Sequence, residues 1–227
     1  HERPNDLKRM LESLSNIANK EELDVIVSDN SVINPNNIKD LCSKYSYVKL
    51  ISERGCSQSK NFLNAIRSSN SKFICLAHDD DYFFLQEHNL SLTLDILNNS
   101  NMHCLYCFNS VSFSSSRPYY LYHFNSKIPR PYSIGSFPFS LPVYPSLVYP
   151  LDDNLEKVFM FNGDYRPFGK YSDISLVESI LESYNYNFSV LPGYYIHIFH
   201  EGSDSAIRDI RSRLILLVHS FKKLNII

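Results

Sequence analysis

The sequence predicts an α/β protein with a mostly parallel central sheet. Three observations carry that prediction. Apolar, β-branched runs ending in polar residues recur at 23–31, 47–52 and 72–81, and stretches of helical periodicity separate them. The chain, at 227 residues, is long enough for one domain with a sizeable core. Strands alternating with helices of this length imply βαβ units with right-handed crossovers. The expectation is a single domain over 1–227, regular in 1–113 and irregular in 114–227.

HERPN reads as a loop entering a helix, and a strand is expected before it. From Asn5 to Ile17, apolar residues fall at Leu7, Met10, Leu11, Leu14 and Ile17, with Asn5 or Asp6 available as N-cap. LDVIVSDNS (23–31) is a buried strand with Asp29 at its carboxyl end. NIKDLCSKY (37–45) is a short helix and YVKLIS (47–52) the next strand. Gly55 then marks a turn and Ser57 caps a helix that places Phe62, Ala65 and Ile66 on one face. KFICLAHDDD (72–81) is the third apolar run to end in polar residues. Ligands of parallel sheets gather outside the carboxyl ends of the strands. Asp29 and Asp79–Asp81 therefore point towards one crevice.

Leu85 to Leu97 continues as helix and MHCLYCFNSVSF (102–113) as strand. Between Ser114 and Pro150 the chain carries Pro118, Pro129, Pro131, Pro138, Pro142 and Pro145 among many Tyr, Phe and Ser, so regular structure is not expected there. It is too aromatic for a disordered linker and reads as an ordered, loop-rich wall. Residues 171–184 make a helix with Ile174, Val177, Ile180, Leu181 and Tyr184 inward. NFSVLPGYYIHIF (187–199) reads as strand, turn, strand, and 205–224 as a closing helix with basic residues between its apolar ones.

A net charge of −2 gives no basic field for a nucleic acid, which disfavours that partner. Five cysteines, odd in number and irregular in spacing, point to a reducing compartment and hence the cytoplasm. Cys104 and Cys107 form a CxxC without the second pair a zinc site needs. No run approaches the roughly 20 apolar residues of a membrane span, and the sequence opens on no signal peptide.

FICLAHDDDYFF (73–84) is the sharpest chemical signal. Adjacent carboxylates repel one another unless a cation, hydrogen-bond donors or water takes up their charge. Hard divalent cations such as Mn²⁺ or Mg²⁺ are held in this way, by one or two carboxylates together with ligand phosphates. The competing reading is a solvated acidic turn.

The order of motifs resembles a family 2 glycosyltransferase of the GT-A fold. HERPNDLKRMLESL is similar to that family's first loop and helix, VIVSDNS to its second strand, GCSQSKNFLNAI to its Gly-bearing loop and helix, and ICLAHDDDYF to its DxD strand end. The resemblance implies a Rossmann-type α/β/α sandwich, with 1–113 binding a nucleotide-sugar donor and 114–227 a saccharide or lipid-linked acceptor. It implies that Asp29 contacts the base or ribose, that Glu2 and Arg3 lie near the nucleotide, and that Lys60 and Asn61 stand where the family often has Arg-Asn. Asp79 and Asp81 form the literal DxD for Mn²⁺ or Mg²⁺. An alternative register puts His78 at the first acidic position and leaves Asp79 or Asp80 as the direct metal contact.

The family's general base corresponds to Asp173 in GKYSDISL, with Ser172 in place of a preceding acid. The competing reading of Asp173 is a helix cap, and Asp164 is the second candidate. His200 matches the C-terminal element that closes on the metal and diphosphate. Lipid-linked acceptors are common in the family, so the closing helix suggests peripheral membrane contact. The function so implied is metal-dependent, inverting sugar transfer in surface-polysaccharide synthesis. The alternatives are a nucleotidyltransferase, which would need a Gly-rich phosphate loop, a metal-dependent phosphohydrolase, and a non-catalytic saccharide-binding module, which Ser172 and His78 would suit.

Overall fold

The computed structural model describes residues 3–15, 23–100, 104–114, 117–122, 146–153, 155, 180, 183–184 and 188–199. In chain order the elements are α1 (Pro4–Ser15), β1 (Val25–Asp29), α2 (Pro35–Cys42), β2 (Val48–Ser52), α3 (Gln58–Ser68), β3 (Phe73–Cys75), β4 (Tyr82–Phe84), α4 (Glu87–Asn98), β5 (Leu105–Ser114), β6 (Arg117–Tyr122), β7 (Leu147–Pro150) and β8 (Phe188–Phe199). α1 starts at Pro4, ahead of the caps expected at Asn5 or Asp6. Proline suits this position because the first helical N–H has no intrahelical acceptor to lose. Asp6 sits instead in the first turn, where its charge complements the helix dipole.

The α/β class stands, but the strand pairing is mixed rather than mostly parallel. β1 and β2 form a parallel ladder with Asp29 opposite Ser52. The larger sheet runs β3-β7-β5-β8-β4, with β6 attached to β5. In it β5 and β8 are parallel, whereas β3–β7, β5–β7, β4–β8 and β5–β6 are antiparallel. Parallel neighbours need a long crossover. β6 follows β5 at once and so pairs with it antiparallel, while β4 lies at the opposite edge of the sheet from β3 and runs antiparallel to β8.

Three apolar clusters hold these layers. On one face of the large sheet, Leu105 and Cys107 of β5 and Leu147 and Tyr149 of β7 pack with Ile66 of α3, Leu76, Leu155, Ile180 and Tyr184. The alternate residues of the same strands, Tyr106, Phe108 and Val148, face the other way and join Leu191 and Tyr195 of β8, with Ile96 and Leu97 of α4 against them. This period-two alternation is what covers a sheet on both faces. The third cluster joins Leu7 and Leu11 of α1 to Ile38, Leu41 and Cys42 of α2 over the β1–β2 ladder. α1 also packs on β4, and α3 on β1, so these two helices tie the small ladder to the large sheet.

Two expectations for the second half change. β6 and β7 lie within 114–150, where no regular structure was expected. The turn expected in 187–199 is a bulge within one strand: Phe108 pairs with Leu191 but Asn109 with Tyr194, leaving Pro192 and Gly193 unmatched on β5. Gly193 has φ of 106°, and a Cβ there would come within 2.2 Å of Leu85. Ile180 and Tyr184 are buried as the periodicity of 171–184 requires. The rest of that helix and the closing helix 205–224 lie outside the described residues. No described helix is long and apolar enough to cross a membrane.

Candidate functional site

After β3 the chain leaves the sheet through Leu76, which is buried, and turns over His78–Asp81 before β4 begins. The turn closes with the Asp81 N–H pointing at the His78 carbonyl, 3.5 Å away. The three aspartates divide between two directions. Asp81 is fully buried; its Oδ2 accepts from the Tyr195 hydroxyl at 2.6 Å and its Oδ1 from the Ile198 N–H at 2.8 Å. Asp79 and Asp80 turn to the start of α1, where Arg3 donates through Nη2 to Asp79 Oδ1 at 2.7 Å and through Nη1 to Asp80 Oδ2 at 2.5 Å. Arg9, one helical turn into α1, donates to the Asp80 carbonyl at 3.0 Å.

This answers how the chain tolerates three neighbouring carboxylates. One is absorbed by donors from β8 and two by a single guanidinium, whose fork reaches both acids. Burial nevertheless pushes Asp79 above the ordinary aspartate range; Arg3 opposes that shift and Asp80 adds to it. Arg3 itself is held above its ordinary value: burial lowers it, and Asp79 and Asp80 together outweigh that. Tyr195 is raised well above the usual phenol value by burial and by the Asp81 charge, so it stays protonated and donates.

His78, Asp80 and Asp81 each present a ligand atom, and these atoms lie within 4.8 Å of one another. An imidazole nitrogen with two carboxylate oxygens is a chemically reasonable partial shell for Mn²⁺, with Mg²⁺ preferring oxygen alone. The grouping takes in His78, Asp80 and Asp81, while Asp79 faces Arg3.

The second acidic strand end is built differently. Asp29, at the end of β1, is 7% exposed, and its Oδ1 accepts from the Ser31 N–H at 3.0 Å in an Asx-type turn. Asn61 of α3 locks onto the same strand: its Nδ2 donates to the Ser28 carbonyl at 2.9 Å, and its Oδ1 accepts from the Ser28 hydroxyl at 2.7 Å. Ser57 caps α3 as expected, accepting from the Lys60 N–H at 3.3 Å. The Lys60 ammonium pairs with Glu53, which also accepts from Asn64 at 2.9 Å; both partners hold Glu53 below the ordinary carboxylate range. Lys60 and Asn61, neighbours in sequence, thus serve different partners. A cleft of about 330 Å³ beside them is lined by Ile51, Ser52, Glu53, Asn64, Arg67 and Ser68, away from the acidic turn.

Glu2, Asp164, Asp173 and His200 lie outside the described residues. The sequence did not point to Arg9 or Tyr195. Arg9 is legible only once α1 is placed against the turn, and Tyr195 only once β8 is paired with β4.

Crystal structures of S. aureus TarS share this architecture. Residues 1–349 of S. aureus TarS in complex with UDP-GlcNAc match with a TM-score of 0.61 at 16% identity, over 90% of this chain and 58% of that one. The complex of the same TarS fragment with UDP gives 0.55 at 15% identity, over 85% and 56%. The fold is of the GT-A type. A further crystal structure of S. aureus TarS gives 0.52 at 15% identity, over 85% of this chain and 34% of that one. The chain thus spans little more than half of TarS 1–349. No protein-family model and no curated protein sequence matches it.

Proposed function

We propose that this chain transfers a sugar from a nucleotide-sugar donor to a saccharide or lipid-linked acceptor, with inversion and with Mn²⁺ or Mg²⁺. The observation that carries the reading is the acidic turn itself. His78, Asp80 and Asp81 converge at the carboxyl end of β3, in a fold shared with a TarS fragment crystallised with UDP-GlcNAc. A cation held there would neutralise charge on the departing nucleoside diphosphate.

The chain's own residues supply the rest. Arg3 balances Asp79 and Asp80 and places a guanidinium beside the diphosphate. Asp29 and Asn61, with Glu2 and Lys60, form the nucleotide side, and His200 closes over the diphosphate. Asp173 takes the proton of the acceptor hydroxyl as that oxygen bonds to the anomeric carbon and the bond to the diphosphate breaks on the opposite face. Asp164 is the second candidate for this base. The aromatic segment 114–150 offers ring faces to the acceptor sugar. The setting is cytoplasmic surface-polysaccharide synthesis, with the closing helix at the inner face of the membrane.

The test is release of nucleoside diphosphate from a panel of nucleotide sugars with and without Mn²⁺. Turnover that requires the cation and fails in Asp173→Asn supports the reading. Binding without turnover under every metal would favour a saccharide-binding module. Pyrophosphate release from a nucleoside triphosphate would favour nucleotidyl transfer.

A further inference from the structure

We infer that Tyr195 is a positioning residue for the acidic turn, its hydroxyl holding Asp81 and the His78 backbone so that the Asp81 carboxylate and the His78 imidazole stand ready for a cation. The inference rests on the metal-dependent reading above and deepens it. Tyr195 lies in β8 opposite Phe83 of β4 and Ser110 of β5, and it is fully buried. Its ring meets the Phe83 ring edge-on, with centroids 5.2 Å apart. Its hydroxyl then does two things at once: it donates to Asp81 Oδ2 at 2.6 Å and accepts from the His78 N–H at 3.3 Å. One phenol oxygen therefore spans both ends of the His78–Asp81 turn.

The β4–β8 register explains why such a brace is needed. Backbone pairing stops at Tyr82 opposite Ile196. Had it continued, the next acceptor for the Ile198 N–H would be a main-chain carbonyl of the turn. The Asp81 carboxylate takes that place through Oδ1 at 2.8 Å, and the backbone is free to swing Asp79 and Asp80 out of the sheet towards Arg3. With Asp81 already bonded to β8 through Oδ1, the Tyr195 hydroxyl fixes the orientation of its second oxygen. His78 Nδ1 lies 3.9 Å from that same oxygen. Partners of this kind, one step behind the ligands, commonly account for tenfold or more in metal affinity.

The test is calorimetric titration of Mn²⁺ into the wild type, Tyr195→Phe and Phe83→Leu, each at a temperature where all are folded by circular dichroism. Tyr195→Phe keeps the ring and removes the hydroxyl, and should weaken Mn²⁺ binding about tenfold. Phe83→Leu disturbs the packing but keeps the hydroxyl, and should lose stability without losing affinity. Equal affinities in Tyr195→Phe and the wild type overturn the inference, as does a loss that follows stability in both variants. A wild type that takes up no Mn²⁺ overturns the metal-dependent reading itself, and the inference with it, so the two failures are told apart. Should Tyr195→Phe not fold, ¹³C labelling of tyrosine Cζ in the wild type gives a second readout. The Tyr195 resonance should shift on Mg²⁺ titration with the midpoint of a parallel calorimetric Mg²⁺ titration, and one that stays still overturns the inference.

Discussion

Two strand ends in this molecule begin from the same sequence idea, an apolar run that finishes in aspartate, and end in different chemistry. At β1 the carboxylate of Asp29 is turned back on its own chain by the Ser31 N–H, while Asn61 and Ser28 fasten helix to strand around it. That end is held mainly by neutral hydrogen bonds. At β3 the charges are handed to partners far away in sequence, Asp79 and Asp80 to Arg3, and Asp81 to Tyr195 and Ile198. A strand end of the first kind is a fixed surface against which a neutral group can rest. One of the second kind has a cation already in place, the guanidinium of Arg3, and ligand atoms close enough together to take another.

The largest effect should separate the two ends. Asp80→Asn keeps the shape of the side chain but removes a charge that both Arg3 and the ligand grouping use. Cation-dependent nucleotide release should fall on the order of a hundredfold or more, as expected when several kcal/mol of charge stabilisation is lost. Asp29→Asn should leave Mn²⁺ affinity alone, because an amide oxygen still accepts from Ser31. Its cost should appear in the KM for the donor, raised about tenfold if the carboxylate holds the base or ribose through a charge-assisted hydrogen bond. Equal effects of the two variants on Mn²⁺ affinity would erase the distinction.

Much of the first strand end was legible in the sequence and less of the second. β1, β2 and α1 to α4 carry their apolar residues at their own period, so local pattern was enough, and Ser57 declared itself as a cap. β4 is three residues long, and β7 ends in a proline; neither has a periodicity to read. Both exist because β8 and β5 offer them a partner from far along the chain. The same dependence hid the roles within the acidic triplet. On paper Asp79, Asp80 and Asp81 are interchangeable, and only the placement of β8 buries the third. Family resemblance singled out Arg3, but not as the partner of two carboxylates, a contact that needs α1 docked on β4.

A smaller effect tests whether Arg3 and a metal share the same carboxylates. Arg3→Gln removes a positive charge 2.5 Å from the Asp80 carboxylate. Relief of that charge should raise Mn²⁺ affinity at least about fivefold, equivalent to about 1 kcal/mol, the water-screened lower limit for two unit charges about 4 Å apart. The variant should also be less stable without the cation, since Asp79 and Asp80 then repel each other unscreened, and Mn²⁺ should restore the loss. Calorimetry in parallel with thermal melts reads both. Unchanged or weaker Mn²⁺ binding would show that guanidinium and metal do not compete.

The smallest effect concerns pH, and its sign runs opposite to the usual behaviour of a paired aspartate. Burial raises Asp79 above its ordinary value of 3.8 in spite of Arg3. Between that value and the raised one, the folded chain therefore binds more protons than the unfolded chain. Stability falls with rising pH where the native state holds the extra proton, so Asp79 should cost stability as pH climbs through this window, fully so above it. Its side chain is 31% exposed, which keeps the penalty modest. In Asp79→Asn nothing titrates at this position, so the metal-free variant should lose less stability than the wild type from the bottom to the top of the window. Urea midpoints for both proteins across the acid range measure the difference. Curves that stay parallel would mean that Arg3 cancels the burial in full, and that the second strand end, like the first, stores no charge penalty for a cation to relieve.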